Sequence, residues 1–203
     1  MKQLKCADLR GGDLMLKAAD GSLIARAISM AEKLRGQANP AIVHAGLMFD
    51  GTYIIEALEN GIAASDLRIQ NRTFGYLVHR PKSGWLSRGA AACAKMMFDV
   101  HQRNGSMKYN FPLTAIAPGS MGKPASRTAM DRLLDDLLRG RGHPFYCSQF
   151  AVYVYQFVAE QNGISAATLF HGNDARISPS TLASLLQGSP WFEEAGYVMP
   201  GER

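Results

Sequence analysis

The stretch from Cys147 to Gln161 is the feature that most restricts how this chain can fold. Apolar residues lie almost all round a helix drawn through it: Phe150, Ala151, Val152, Val154, Phe157 and Val158. A helix that is hydrophobic on nearly every face has to be buried. We therefore predict a central helix covered by one domain that spans residues 1–203, a length that can enclose a sizeable core.

Capping residues mark further helices. Ser22, Ser126 and Ser178 precede helix-forming sequence and predict helices over 22–34, 126–140 and 181–186. A longer helix is predicted from Leu86 to Arg103, because Asn104 and Gly105 end its pattern.

Strand patterns occupy the first half of the chain. Short strands are predicted within 9–17 and 73–79, and two β-rich arms, 41–48 and 52–58, predict a hairpin. The segment 106–125 holds several prolines and glycines and predicts a loop. The expected fold class is α+β, with an antiparallel sheet packed on helices.

Composition narrows the function classes. The net charge is +5, but the basic residues are scattered, so we expect no nucleic-acid partner. Three cysteines without a C-x-x-C pair favour neither a disulfide framework nor a structural zinc site. No apolar run is long enough for a transmembrane segment, and no motif implies a cofactor.

The N-terminus is basic but lacks the apolar stretch of a secretory signal. We therefore expect the protein to be cytoplasmic in the producing cell, or to be exported by a secretion system that reads no signal peptide.

Cys147 stands where a thiol can be activated. Pro144 cannot continue a preceding helix, so the apolar helix is expected to begin at or near Cys147. Unpaired N–H groups of a first helical turn, and a nearby imidazolium, both lower a thiol pKa. Taken alone, this segment is explained more simply if Cys147 is only a small, buried hydrophobic residue.

The hairpin supplies a partner for that thiol. A three-residue loop Phe49-Asp50-Gly51, with Gly51 in the left-handed region, would set His44 opposite Glu56 on one face of the sheet. A carboxylate there would fix the tautomer of the imidazole and support its charged form. A two-residue turn would put the two side chains on opposite faces, which fits a core histidine and a solvated glutamate. Gly46, a glycine inside a strand, indicates close approach by another group.

Three motifs together resemble the NlpC-type papain-like cysteine peptidases. They are Gly12-Asp13-Leu14, His44-Ala45-Gly46-Leu47 and Ile55-Glu56-Ala57, in which Glu56 follows His44 by twelve positions. The cysteine segment, 145–150, comes last rather than first. That order is similar to the circularly permuted branch, which includes bacterial wall-hydrolase-like proteins and relatives of lecithin:retinol acyltransferase. Glu56 departs from the histidine or polar amide usual in unpermuted members.

The resemblance implies a circularly permuted papain-like fold in which the nucleophile lies at the N-terminus of the central buried helix. It implies a cysteine peptidase or amidase with a Cys147-His44-Glu56 triad, acting without a cofactor.

Three further residues are candidates for supporting roles. Tyr146 or Tyr109 would lend an oxyanion-hole donor or bind substrate, and Asp13 would support the strand near the site. Each of the three also fits simple packing or a turn. His143 is near the nucleophile in sequence, but we expect it to line the entrance rather than act as the base.

The substrate implied by the resemblance is a peptide or isopeptide amide of peptidoglycan. Because no signal peptide is evident, delivery by a secretion apparatus as an antibacterial toxin, with a cognate immunity protein as partner, is the expected route to the cell wall. Two alternatives stay open: a lipid or thioester acyl hydrolase or acyltransferase, and an inactive binding module.

Overall fold

The computed structural model describes residues 2–18, 41–109, 126–172 and 174–201. Within these ranges the strands are β1 (Gln3–Leu4), β2 (Leu14–Ala18), β3 (Ile42–Met48), β4 (Tyr53–Leu58), β5 (Gly61–Asp66), β6 (Tyr76–Pro81), β7 (Met107–Tyr109), β8 (His143–Phe145) and β9 (Phe192–Val198). The α-helices are α1 (Gly84–Asn104), α2 (Arg127–Leu138), α3 (Cys147–Gln161), α4 (Ala166–Leu169) and α5 (Pro179–Leu186).

Seven strands form one sheet in the order β1-β9-β6-β2-β3-β4-β5, which confirms the α+β class. The expectation of an antiparallel sheet is wrong at one edge, where β1 runs parallel to β9, so the sheet is mixed. A parallel pair needs a long connection, and here nearly the whole chain separates the two strands. Strands β7 and β8 form a second, two-stranded parallel sheet.

The two faces of the large sheet bury different clusters. Leu16, Ala45, Leu47, Ile55 and Ala57 belong to the larger core, together with most of the side chains of α3 and the buried side of α1. The opposite face carries a smaller cluster that includes Met15, Met48, Ile54 and Val78. By the alternation of a strand, His44 and Gly46 lie on the face of Met48.

Most predicted helix limits agree with the structure. α3 has the predicted limits, and Gly105 ends α1 with φ 62°. Ser126 caps α2 by accepting a hydrogen bond from the N–H of Ala129, and Ser178 caps α5 in the same way. The predicted helix 22–34 and the loop portion 110–125 lie outside the described residues, whereas 107–109 is strand rather than loop.

Candidate active site

The hairpin that carries His44 and Glu56 has a different register from the predicted one. Gly46, not His44, lies opposite Glu56, so the expected pairing is wrong by two residues. The turn comprises residues 50–52, because the N–H of Phe49 donates to the carbonyl of Tyr53 at 2.8 Å. Gly51 does not have a positive φ.

Asp50 accounts for this turn. Its Oδ1 accepts hydrogen bonds from the N–H groups of Thr52 (2.8 Å) and Tyr53 (2.9 Å). An aspartate that bonds the backbone two residues on makes a turn of its own, without a glycine in the left-handed region.

The predicted face is nevertheless the observed one. Side chains alternate along a strand, so a register change of two residues leaves His44 and Glu56 on the same side of the sheet as diagonal neighbours. Nε2 of His44 lies 3.1 Å from Oε1 of Glu56. The N–H direction is not that of an aligned hydrogen bond, so the contact is an ion pair.

Gly46 makes room for this contact. A Cβ atom at Gly46 would lie 2.8 Å from Cγ of Glu56, so the Glu56 side chain passes over the glycine toward His44. The close approach predicted for this strand glycine is thus observed, and the approaching group is Glu56.

Asn71 is a contact that the sequence did not indicate. Its Nδ2 donates to Oε2 of Glu56 at 3.3 Å, and the two residues are only 8% and 3% exposed. Asn71 lies between β5 and β6, where an asparagine is ordinarily interpreted as a turn residue. The sequence held one indication of such a contact: a glutamate buried beside a histidine needs a hydrogen-bond donor for its second carboxylate oxygen.

Cys147 is the first residue of α3, preceded by Tyr146 in an extended conformation. The Cys147 side chain is buried, at 1% exposed, and is hydrogen-bonded with the imidazole of His44. The backbone N–H groups of Ala45 and Ser148 also form hydrogen bonds to the sulfur.

These contacts decide the charges. Burial has the largest single effect on Cys147 and raises its pKa, but the charge and hydrogen bond of His44, with the two backbone N–H groups, bring the pKa below its usual value. Burial likewise lowers the pKa of His44, yet Cys147 and then Glu56 outweigh it and raise that pKa to about 10. The two shifts have opposite directions, and both favour the ion pair, a Cys147 thiolate beside a His44 imidazolium.

The other two cysteines differ in this respect. Burial raises the pKa of Cys93 to about 12, and burial also raises the pKa of Cys6. Cys147 alone among the three has a lowered thiol pKa, which is what a nucleophilic cysteine requires.

The supporting candidates lie as follows. The hydroxyl of buried Tyr146 donates to the carbonyl of Asp174 at 3.1 Å. Both carboxylate oxygens of Asp13 accept from Arg80, at 2.8 and 2.7 Å, and Asp13 is not among the groups that change the pKa of Cys147. The backbone of Tyr109 pairs with Phe145 between β7 and β8, which brings it near the start of α3.

Two further observations bear on the class of protein. In the described ranges, no group of three or more His, Cys, Asp or Glu residues is placed to hold a metal ion. No helix in those ranges combines the length and the apolar character needed to cross a membrane.

Comparison with known proteins adds no relative. No family model matches the chain, and no curated protein has a significantly similar sequence. Function is therefore inferred from the residues and their geometry.

Proposed function

We propose that this chain is a cysteine hydrolase in which Cys147 is the nucleophile, His44 the proton carrier and Glu56 the residue that orients His44. The observation that carries the proposal is the position of the Cys147 thiol at the first turn of α3, hydrogen-bonded to His44, where the imidazolium lowers the thiol pKa. Perturbed pKa values of this kind are concentrated at catalytic sites.

The reaction begins with acylation. The Cys147 thiolate attacks the carbonyl carbon, and the carbonyl electrons move to the oxygen, where the N–H of Cys147 is the proposed donor. Because Nε2 of His44 faces Glu56, Nδ1 is the nitrogen available to the substrate and the thiol. The imidazolium gives its proton to the leaving amine, the C–N bond breaks, and a thioester on Cys147 remains.

Deacylation returns the site to its starting state. Neutral His44 takes a proton from water, and the hydroxide formed attacks the thioester carbon. The C–S bond breaks, a carboxylic acid leaves, and Cys147 and His44 are again a thiolate and an imidazolium. Glu56 keeps its charge throughout and stabilises the imidazolium.

A circularly permuted papain-like fold belongs to the same proposal. Its support is the chain order, because β3 and β4, which carry His44 and Glu56, precede the cysteine helix α3. On this basis the proposed substrate is a peptide amide of peptidoglycan, and the proposed role is that of an exported toxin with an immunity protein. These last steps rest on the motif resemblance alone.

Digestion of purified peptidoglycan tests the reaction. We expect mass spectrometry to find new muropeptide fragments with wild type and with Cys93→Ala, and none with Cys147→Ala. Cys93→Ala is the matched control, because it removes a buried thiol whose pKa is raised.

If none of the three proteins produces fragments, the peptidoglycan substrate is wrong. Cys147-dependent release of fatty acid from lipid or thioester substrates would then support the acyl hydrolase alternative.

A further inference from the structure

The Glu56 carboxylate lies in a buried position between two partners. Oε1 faces His44 at 3.1 Å, and Oε2 accepts from Nδ2 of Asn71 at 3.3 Å. Buried carboxylates need partners for both oxygens, because an unsatisfied charged oxygen loses its hydration without compensation. Asn71 supplies the partner on the side away from His44.

The contact with His44 is not enough by itself to fix the carboxylate. The N–H of His44 is not well aligned on Oε1 of Glu56, so this 3.1 Å contact constrains the rotation of the carboxylate less than an aligned hydrogen bond would. Gly46, opposite Glu56, leaves room for the Glu56 side chain but offers no polar side-chain group to the carboxylate. The amide of Asn71 donates to the other carboxylate oxygen at 3.3 Å, and because hydrogen bonds are directional, this contact can fix the carboxylate plane.

The loop that carries Asn71 is held by contacts of its own. The N–H of Gln70 donates to the carbonyl of Asp66 at 2.9 Å, and the side chain of Gln70 accepts from the N–H of Asp66. The carbonyl of Asn71 accepts from the N–H of Phe74 at 3.1 Å. The backbone at Asn71 is thus fixed independently of its side chain, which is free to serve Glu56.

We propose that Asn71 is a positioning residue that acts through Glu56 to hold the His44 imidazole against Cys147. This inference rests on the proposed function, and it extends the site by one residue: Asn71, Glu56, His44 and Cys147 form one chain of contacts. Asn71 touches neither the thiol nor the reacting atoms in this scheme.

The test measures the pH midpoint of Cys147 alkylation by iodoacetamide, which needs no substrate. Asn71→Ala and Asn71→Leu, the second of which retains the bulk of the side chain, should both raise the midpoint by about 0.5–1 pH unit. Gln70→Ala is the matched control: it removes a loop contact but not the donor to Glu56, so the midpoint should stay at the wild-type value.

A double-mutant cycle separates positioning from a structural effect. Added to Glu56→Ala, Asn71→Ala should produce no further shift, because the residue through which it acts is gone. Thermal unfolding of each variant shows whether it is folded.

The outcomes are distinct. A wild-type midpoint near an ordinary thiol value overturns the proposed function and this inference with it. A lowered wild-type midpoint that Asn71→Ala and Asn71→Leu leave unchanged overturns only the role of Asn71. Equal shifts with Gln70→Ala, or additive shifts in the cycle, would show a general loop effect and overturn it as well.

Discussion

Gly46 lies directly opposite Glu56 in the β3–β4 pair, and the Glu56 side chain occupies the space that a side chain at Gly46 would take. Glu56 reaches His44 across that space, although the two residues are diagonal neighbours rather than a facing pair. The glycine is therefore part of the site, even though it has no functional group.

The first prediction concerns Gly46→Ala. The new Cβ would lie 2.8 Å from side-chain atoms of both Glu56 and Ile54, so these side chains must shift, and we expect the shift of Glu56 to disturb its contact with His44. Overpacking a well-packed position costs about 1–3 kcal/mol of unfolding free energy. Turnover should fall roughly 100-fold, since a displacement of about 1 Å can cost that much. Unfolding and kinetic assays measure the two effects.

Gly51→Ala is the control for this substitution. Gly51 lies in the turn of the same hairpin, and a Cβ there would meet only the carbonyl oxygen of Leu9 at 3.6 Å. Its effect on stability should stay within about 0.5 kcal/mol, with turnover unchanged. If Gly46→Ala behaves like Gly51→Ala, the close packing at Gly46 does not position Glu56.

The second prediction concerns the charge of Glu56. Glu56→Gln keeps the shape of the side chain but removes the charge that helps raise the pKa of His44, so turnover should fall at least about tenfold, the equivalent of one pKa unit. Glu56→Ala should be worse, because the buried partners on both sides lose their contact. Full activity in both variants would show that another residue orients His44.

Part of this arrangement could be predicted from sequence because it depends on short-range patterns. The limits of α3 follow from its apolar composition and the preceding proline, and the face shared by His44 and Glu56 follows from alternation. The register of the hairpin could not be predicted in this way. Asp50 fixes the turn at residues 50–52, one residue later than the turn expected from Gly51. The error was of two residues, so it left the face unchanged.

Short-range sequence patterns do not predict contacts between residues that are far apart in the chain. β9 pairs with β6 and β1, which lie far from it in sequence, and its Glu193 and Glu194 obscure the strand pattern. Asn71 was missed for a similar reason, because its contact with Glu56 joins residues separated by a whole strand.

The third prediction is that Asp13 contributes to the stability of the fold and not to the reaction. Its carboxylate is fully buried and accepts two hydrogen bonds from Arg80, so Asp13→Asn leaves that guanidinium without its counter-charge. Breaking a buried ion pair costs about 3 kcal/mol or more. Chemical denaturation should show this loss.

The same variant should leave the alkylation midpoint of Cys147 unchanged. Asp13 is level with Met48, whose N–H donates to the Asp13 carbonyl at 2.9 Å, and Met48 is four positions along the strand from His44. At about 3.3 Å per residue the separation is about 13 Å. A moved alkylation midpoint for Cys147 would contradict this and return Asp13 to the site.

The fourth prediction concerns pH. Below its lowered pKa, Cys147 is protonated and unreactive, and above it the thiolate persists beside charged His44. As pH rises through about 10, His44 loses its proton and no longer protonates the leaving group. Turnover should therefore rise at a pH below about 8.5, the ordinary thiol pKa, and fall near pH 10.

Alkylation isolates the thiol from the rest of the reaction. Because the midpoint depends on ionisation and not on access, it remains informative for a thiol that is 1% exposed. Wild-type Cys147 should label with a midpoint below that of Cys6 and Cys93, whose pKa values are raised. In His44→Ala the midpoint should move above the ordinary value, because burial, which raises the pKa, then acts without the imidazolium.

The first turn of the helix alone is too weak to reverse this shift, since its effect is typically within about 1 kcal/mol, less than one pKa unit. A midpoint near 8.5 that His44→Ala leaves in place would show that the thiol and the imidazole are not coupled, and the binding-module alternative would then describe the protein better than any hydrolase.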